Sequence, residues 1–220
     1  MTTVEPRVLF EAVYQQDVWG HADGSGHGST VEYTTGLRRV LKDVIGALGI
    51  ASLIDAGCGA GVWQHALLTV DGVAMRYHGV DASATAVSRA SGRLAPLGAT
   101  VAVGDVCRDP LPRGFDAVLS RDCLQHMSLE GVAAAMENLA ACGARWYLIG
   151  GYYPGKNARV SAAYHFDVNL TQAPFGLSPD FVHSEGKPPN EPHKHVFVFS
   201  GERLRATDWS AMRARVAAFV

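Results

Sequence analysis

Apolar runs of strand length recur along this chain with helix-periodic segments between them, and that alternation restricts the fold more than any other feature. The runs lie at 51–55 (ASLID), 76–81 (RYHGVD), 99–105 (ATVAVGD), 115–120 (FDAVLS) and 145–151 (RWYLIGG), with 193–200 (HKHVFVFS) following after a gap. Several are nearly continuous, as strands covered on both faces are. Residues 128–142 place Leu129, Val132, Ala133, Met136, Leu139 and Ala140 on one stripe, with Ser128 as the N-cap. Ahead of the first run, Leu37, Val40, Leu41, Val44, Ile45 and Leu48 share a helical face, and Ser29 with Glu32 reads as a capping box at its start. Strand and helix in turn predict an α/β fold with a doubly wound, mostly parallel sheet. At 220 residues and 48% hydrophobic content, the chain suits a single domain, 1–220.

Charge and composition remove several classes of function. The formal charge of −2 offers no basic excess for nucleic acid. The opening residues MTTVEPRVLF lack an apolar core, and no run of about 18 apolar residues occurs, so a soluble cytoplasmic protein with no membrane span is predicted. The four cysteines, Cys58, Cys107, Cys123 and Cys142, are scattered without a C-x-x-C pair. That supports neither a zinc knuckle nor a disulfide framework. His193 and His195 alternate on one strand face without a third ligand nearby, so no metal site is predicted.

The chemistry concentrates in LIDAGCGAG, residues 53–61. Glycines at the end of a first strand let the backbone approach a ligand and open a helix whose N-terminus faces it. A dinucleotide site wants G-x-G-x-x-G, whereas Gly57, Gly59 and Gly61 are spaced one residue short of that. Asp55, immediately behind them, would repel a pyrophosphate and suit a cationic amino group. S-adenosylmethionine (SAM) carries such a group and no phosphate. Asp81 closes the second strand about 20 residues past the glycines, where a carboxylate can accept both ribose hydroxyls, with Ala82 beside it. Asp105 ends the third strand, placed to accept from an adenine amino group, and Val106 adds an amide and an apolar wall. Cys58 reads as a small filler whose part in the turn is its backbone amide.

On these motifs the chain resembles the class I SAM-dependent methyltransferases, over roughly residues 30 to 151. LIDAGCGAG matches the family's glycine motif, GVDAS its ribose motif, GDV its adenine motif and FDAVLSRDCLQHMS its fourth-strand motif. The resemblance implies a Rossmann-like, seven-stranded sheet with HKHVFVFS as an antiparallel last strand, and S-adenosylhomocysteine as the product. It also places the loop Ser120-Arg121-Asp122-Cys123 opposite the sulfonium. Arg121 is then a candidate to orient the cofactor's amino-acid end or the acceptor. Asp122 and His126 are the candidate catalytic residues, Asp122 through its charge and His126 as a proton shuttle. They are four residues apart, so they share a face only if this loop turns helical at once. SRDCLQH and DVNLTQAPFGLSP are similar to a group of small bacterial methyltransferases.

No Asn/Asp-Pro-Pro-Tyr/Phe tetrapeptide follows the fourth strand, which disfavours nucleobase and glutamine amides as acceptors. A small, aromatic or heteroaromatic metabolite, methylated at nitrogen or oxygen, is the expected acceptor. The alternatives are a protein or RNA methyltransferase, a SAM-binding module without turnover, and a nucleotide-dependent oxidoreductase. Two segments are expected to roof the site: residues 1–29, with their glycine-rich stretch WGHADGSGHGST, and 152–190 with Tyr152, Tyr153, Tyr164, Phe166 and Phe175. Trp19 and Trp63 suit either core or cofactor wall. The C-terminal RLRATDWSAMRARVAAFV reads as an amphipathic helix for docking, a homodimer being one use of it.

Overall fold

A computed structural model describes residues 5–160, 165–186 and 193–220. Tyr164 and the stretches 161–163 and 187–190 of the expected roof lie outside the described residues, as do residues 1–4. The chain forms a seven-stranded, mostly parallel α/β sheet and divides into two compact units, Met1–Asp105 and Val106–Val220.

The first unit holds α1 (Pro6–Gln15), α2 (Thr35–Leu48), β1 (Ser52–Ala56), α3 (Val62–Thr69), β2 (Arg76–Asp81), α4 (Ala84–Leu94) and β3 (Thr100–Val103). Its strands lie in the order β3-β2-β1, all parallel, in a register that sets Ile54 beside His78 and Val80 beside Ala102. Every residue of β1 is buried, the polar Ser52 and Asp55 included, as in a strand covered on both faces. On α2, Leu37, Leu41, Val44 and Ile45 are buried while Val40 and Leu48 are half-buried, so the sequence stripe faces the core. Gly49, left-handed at φ +60°, ends that helix.

The capping box of Ser29 and Glu32 does not form, because α2 starts five residues later than that pattern places it. Threonine hydroxyls hold the backbone in a turn there: Thr30 Oγ1 accepts from the Tyr33 amide at 3.2 Å, and the Thr34 hydroxyl donates to the Thr30 carbonyl at 2.8 Å. Helix α1 had no counterpart in the sequence reading. Pro6 fits its first turn, where an amide hydrogen would have no partner, and the helix packs on α4 with Val13 and Tyr14 buried.

The second unit holds β4 (Ala117–Ser120), α5 (Leu129–Ala141), β5 (Trp146–Tyr152), β6 (Phe181–Ser184), β7 (Lys194–Ser200), α6 (Gly201–Arg205) and α7 (Trp209–Ala218). Its strand order is β4-β5-β7-β6; β4 and β5 are parallel, and β7 runs antiparallel to both β5 and β6. Thus HKHVFVFS is the antiparallel strand, but it lies inside the order, with the short β6 at its edge. Ser128 caps α5 as the sequence indicates, its hydroxyl accepting from the Gly131 amide at 3.1 Å. The C-terminal pattern is two helices rather than one, since Asp208 caps α7 by accepting from the Ala211 amide at 2.9 Å. Helix α7 packs on α5, with Met212 and Val216 buried. Within 152–190, Phe166, Val168, Leu170, Phe175 and Leu177 are buried. Asn157 and Asn169 stitch that segment together: Asn157 Nδ2 donates to the Asn169 and Ala173 carbonyls, both at 2.8 Å.

Candidate functional site

The glycine turn of the first unit is fastened to the neighbouring strand. The amides of Gly57 and Cys58 both donate to the Val80 carbonyl, at 2.8 and 3.1 Å. The Cys58 amide therefore acts inside the turn, and its thiol lies in the packed interior, 3% exposed. At Gly61 the backbone is left-handed (φ +72°), and an added Cβ would come within 2.9 Å of Leu94 Cδ1 and 3.3 Å of Ala90. A side chain there would separate the start of α3 from α4.

Behind the turn, Asp55 is 1% exposed and its Oδ2 accepts from the Tyr77 hydroxyl at 2.7 Å and from Gln64 Nε2 at 2.8 Å. Gln64 Nε2 also donates to the Cys58 carbonyl at 2.8 Å, so it ties the carboxylate to the turn. Burial, reinforced by Asp55, raises the Tyr77 phenol well above its ordinary range, so it stays a donor. Neither Gln64 nor Tyr77 stands out in the sequence. Gln64 falls on the first turn of a helix and Tyr77 inside a strand, where both pass for packing.

Asp81 is the hinge of this site. Its Oδ2 accepts from the Gly59 amide at 2.8 Å and its Oδ1 from the Ser83 amide at 2.9 Å, with the Ala82 amide contributing as well. Burial raises its pKa, and the three amides pull the other way. A carboxylate has about four lone-pair positions, so these bonds leave acceptor capacity. Asp105, two residues past β3 and 4% exposed, stays close through the Gly104 amide, which donates to the Asp81 carbonyl at 2.9 Å. The first unit thus brings Asp55, Asp81 and the glycine turn into one bonded array. Its carboxylates suit a ribose diol and a cationic amino-acid end, and would repel a pyrophosphate.

The second unit gathers a different set. Asp122, left-handed at φ +51°, follows Arg121 at the end of β4. Arg121 Nη1 lies 2.8 Å from Asp122 Oδ2, and the same guanidinium grips Glu185 through Nε and Nη2. Lys194 Nζ also pairs with Asp122 Oδ2. Burial pushes the Asp122 carboxyl up, yet Arg121 and Lys194 outweigh it and hold the group below the usual carboxylate range. Burial likewise pulls the Lys194 ammonium down. β5 approaches closely here: a Cβ on Gly150 would meet Arg121 Cα at 3.1 Å.

A single 3-10 turn over Leu124–His126 brings His126 into electrostatic range of Asp122, and α5 begins only after Ser128. Burial drives the His126 imidazole down to about 4, so it is neutral at physiological pH. Around it stand aromatic partners, with His165 at 5.9 Å between ring centroids and Tyr152 at 5.4 Å from His165. Lys194 Nζ sits 5.9 Å over the Tyr152 ring. The Phe166 amide donates to the Gln125 carbonyl at 3.2 Å, which anchors the 152–190 segment to this loop. Val106, 6% exposed, offers its carbonyl to Asn138 Nδ2 at 2.9 Å. Glu185 and Lys194 went unread in the sequence, since only the pairing of β7 with both β5 and β6 brings them near β4. Among the described residues, no three His, Cys, Asp or Glu side chains are grouped to hold a metal ion, and no helix is long and apolar enough to cross a membrane.

Residues 53–143 match the family described as Methyltransferase domain. No curated protein matches the sequence. Among solved structures, the chain is similar to magnesium protoporphyrin IX methyltransferase (ChlM) from Synechocystis PCC 6803 with bound SAM. That likeness has 18% identity and a TM-score of 0.61, over 91% of this chain and 100% of that one. It is also similar to the methyltransferase domain of bacterial CtHen1 (17% identity, TM-score 0.58, 75% of this chain and 97% of that one). A third likeness is to the O-methyltransferase NcsB1 from neocarzinostatin biosynthesis in complex with S-adenosyl-L-homocysteine (20% identity, TM-score 0.51, 77% of this chain and 57% of that one). These likenesses share the sheet, and the matched region runs from β1 through the end of α5. Residues 53–143 thus match a methyltransferase domain, and the sheet that carries them is that of SAM-dependent methyltransferases of solved structure.

Proposed function

We propose that this protein transfers the methyl group of SAM to a nitrogen or oxygen of a small aromatic or heteroaromatic metabolite. The observation that carries the cofactor half is the bond from the Gly59 amide to Asp81 Oδ2, at 2.8 Å. It fixes a buried carboxylate beside the glycine turn, with acceptor capacity left for a ribose hydroxyl. Asp55, Gly57, Gly61, Ala82, Asp105 and Val106 complete the proposed cofactor set. The chemistry supplied by bound SAM is a methyl group already activated on a sulfonium, so alignment and exclusion of water fall to the protein.

For the acceptor, support comes from the rings of Tyr152, His126 and His165, spaced 5.4 and 5.9 Å apart. They suit a planar partner, because aromatic rings favour offset or edge-on neighbours at such separations. The charges beside them balance: Arg121 and Lys194 against Asp122 and Glu185. A neutral acceptor leaves that balance undisturbed. Asp122, kept ionised, is a weak base, and its role is to favour developing positive charge. His126, held at about 4, is no shuttle at neutral pH and is as weak a base; it takes the acceptor's proton once methyl transfer has made that proton acidic. Arg121 works by holding Asp122 in place and charged.

Calorimetry tests the reading directly. SAM and S-adenosylhomocysteine should bind and NAD(P) should not. Asp81→Ala should weaken SAM at least tenfold, as the loss of charge-assisted bonds of roughly 1.5–3 kcal/mol each requires. Equal affinity in wild type and variant would remove Asp81 from the site. Turnover of SAM against a panel of aromatic amines, phenols and carboxylates then tests the acceptor class, and turnover confined to peptides or RNA would overturn it.

A further inference from the structure

The glycine turn is gripped by a segment distant from it in sequence. Between α1 and α2 the chain passes through Asp17, His21, Ala22 and Asp23, with φ of +50°, +47°, +41° and +52°. Left-handed backbone at residues with side chains is costly and persists only where surrounding contacts impose it. Here the imposing contacts are polar and converge on one residue of the turn. Ser25 Oγ accepts from the Ala60 amide at 2.9 Å and lies 2.9 Å from the Tyr14 hydroxyl. Arg93 of α4 donates to the Ala60 carbonyl and pairs with the Asp23 carboxylate, while Arg89 donates to the Asp23 carbonyl at 2.8 Å. Both polar groups of Ala60 are thereby committed to this segment or to the arginine that holds it.

A second anchor lies beside Asp81. Glu11 on α1 accepts from the Ser83 hydroxyl at 2.7 Å, from the Thr85 hydroxyl at 2.6 Å and from the Thr85 amide at 3.1 Å. Ser83 is the residue whose own amide serves Asp81. Gly59 lies under the same segment: an added Cβ would come within 2.8 Å of both Ser25 Oγ and Tyr14 Oη.

We propose that residues 11–25 form a clamp that holds the glycine turn in its ligand-binding shape, with Ser25 and Arg93 as positioning residues. The inference rests on the reading of that turn as the SAM site. Clamp and ligand favour the same shape of the turn, so each strengthens the other by an equal factor. The clamp also gives Gly59 a second reason to be glycine, independent of the ligand.

The test uses the full chain with Ser25→Ala, Ser25→Thr and Arg93→Gln, and two readouts. One is hydrogen exchange of the 57–61 amides in the ligand-free protein; the other is SAM affinity by calorimetry. Ser25→Ala and Arg93→Gln should each speed exchange at Ala60 and weaken SAM by about tenfold, within the usual range of such couplings. Ser25→Thr, which keeps the hydroxyl, should restore both, and melting temperature should move little. Unchanged exchange in both variants overturns the clamp. Faster exchange with unchanged SAM affinity overturns its coupling to the ligand. A wild-type chain that binds no SAM would instead defeat the SAM reading, and the exchange readout would still judge the clamp.

Discussion

Arg121 and Glu185 meet through two parallel hydrogen bonds, Nε to Oε1 at 3.3 Å and Nη2 to Oε2 at 2.9 Å, with both side chains 1% exposed. The pair ties the residue after β4 to the residue after β6. A planar guanidinium and a carboxylate match in this forked arrangement, and the match fixes orientation as well as charge.

Glu185→Ala should therefore be strongly destabilising, because it leaves Arg121 buried with one counter-charge fewer. Breaking such a pair costs roughly 3–5 kcal/mol. Urea unfolding measures it. Glu185→Gln keeps the shape and should fall between the two. A variant as stable as wild type would show that Arg121 finds compensation elsewhere.

His126 sets a dependence on pH. Burial holds its imidazole at about 4, against an ordinary 6.5, although Asp122 pulls the other way. Between those values the unfolded chain binds a proton that the native one does not. Stability should thus fall as pH drops from 6.5 towards 4, by up to about 1.4 kcal/mol per pH unit. His126→Gln should flatten that slope in thermal melts recorded across the window. If His126 also takes the acceptor's proton, the variant should lose roughly 10²–10⁴ in kcat with SAM affinity kept. Full turnover would confine the residue to packing.

Cys58 and Gly79 are matched in size. A Cβ on Gly79 would meet Cys58 Sγ at 2.8 Å and Cys58 Cβ at 3.1 Å. Gly79→Ala should cost about 1–3 kcal/mol by overpacking and loosen SAM through the displaced turn. Adding Cys58→Ala removes the nearer contact and should recover part of both losses. Additive losses in the double variant would count against the match.

Glu11 supplies an acid-labile contribution. Hydrogen bonds from the Thr85 side chain and amide and from Ser83 lower its pKa from 4.5 to about 2. A group depressed in the native state stabilises above its unfolded value and loses that effect as pH falls through the folded one. Glu11→Gln should be less stable than wild type near neutrality, with the gap closing between pH 4.5 and 2. A gap that stays constant under acid would mean that the carboxylate charge is not what matters.

Much of this was legible in the sequence. Apolar runs mark β1, β4, β5 and β7, whose faces are covered, and also β2 and the partly exposed β3; a stripe and a serine cap mark α5. β6 was hidden for the opposite reason. It has four residues, it lies at an edge, and Phe181 and Val182 remain largely exposed, so no alternation marks it. α1 escaped notice because its ten residues carry no cap signal beyond Pro6. The carboxylates at the strand ends could be read because their positions follow from topology. Gln64, Tyr77, Glu185 and Lys194 could not, since each owes its place to a partner brought near only by folding.

The register of β7 against β5 carries a consequence for how the protein is made. Tyr152 aligns with Lys194 and Trp146 with Ser200, so the strand that joins β5 to β6 is made after both of them. Until it arrives, Asp122 lacks its lysine and β6 has no strand to pair with. Until then the nascent chain must shelter an incomplete sheet and a half-built ionic cluster, a state open to aggregation.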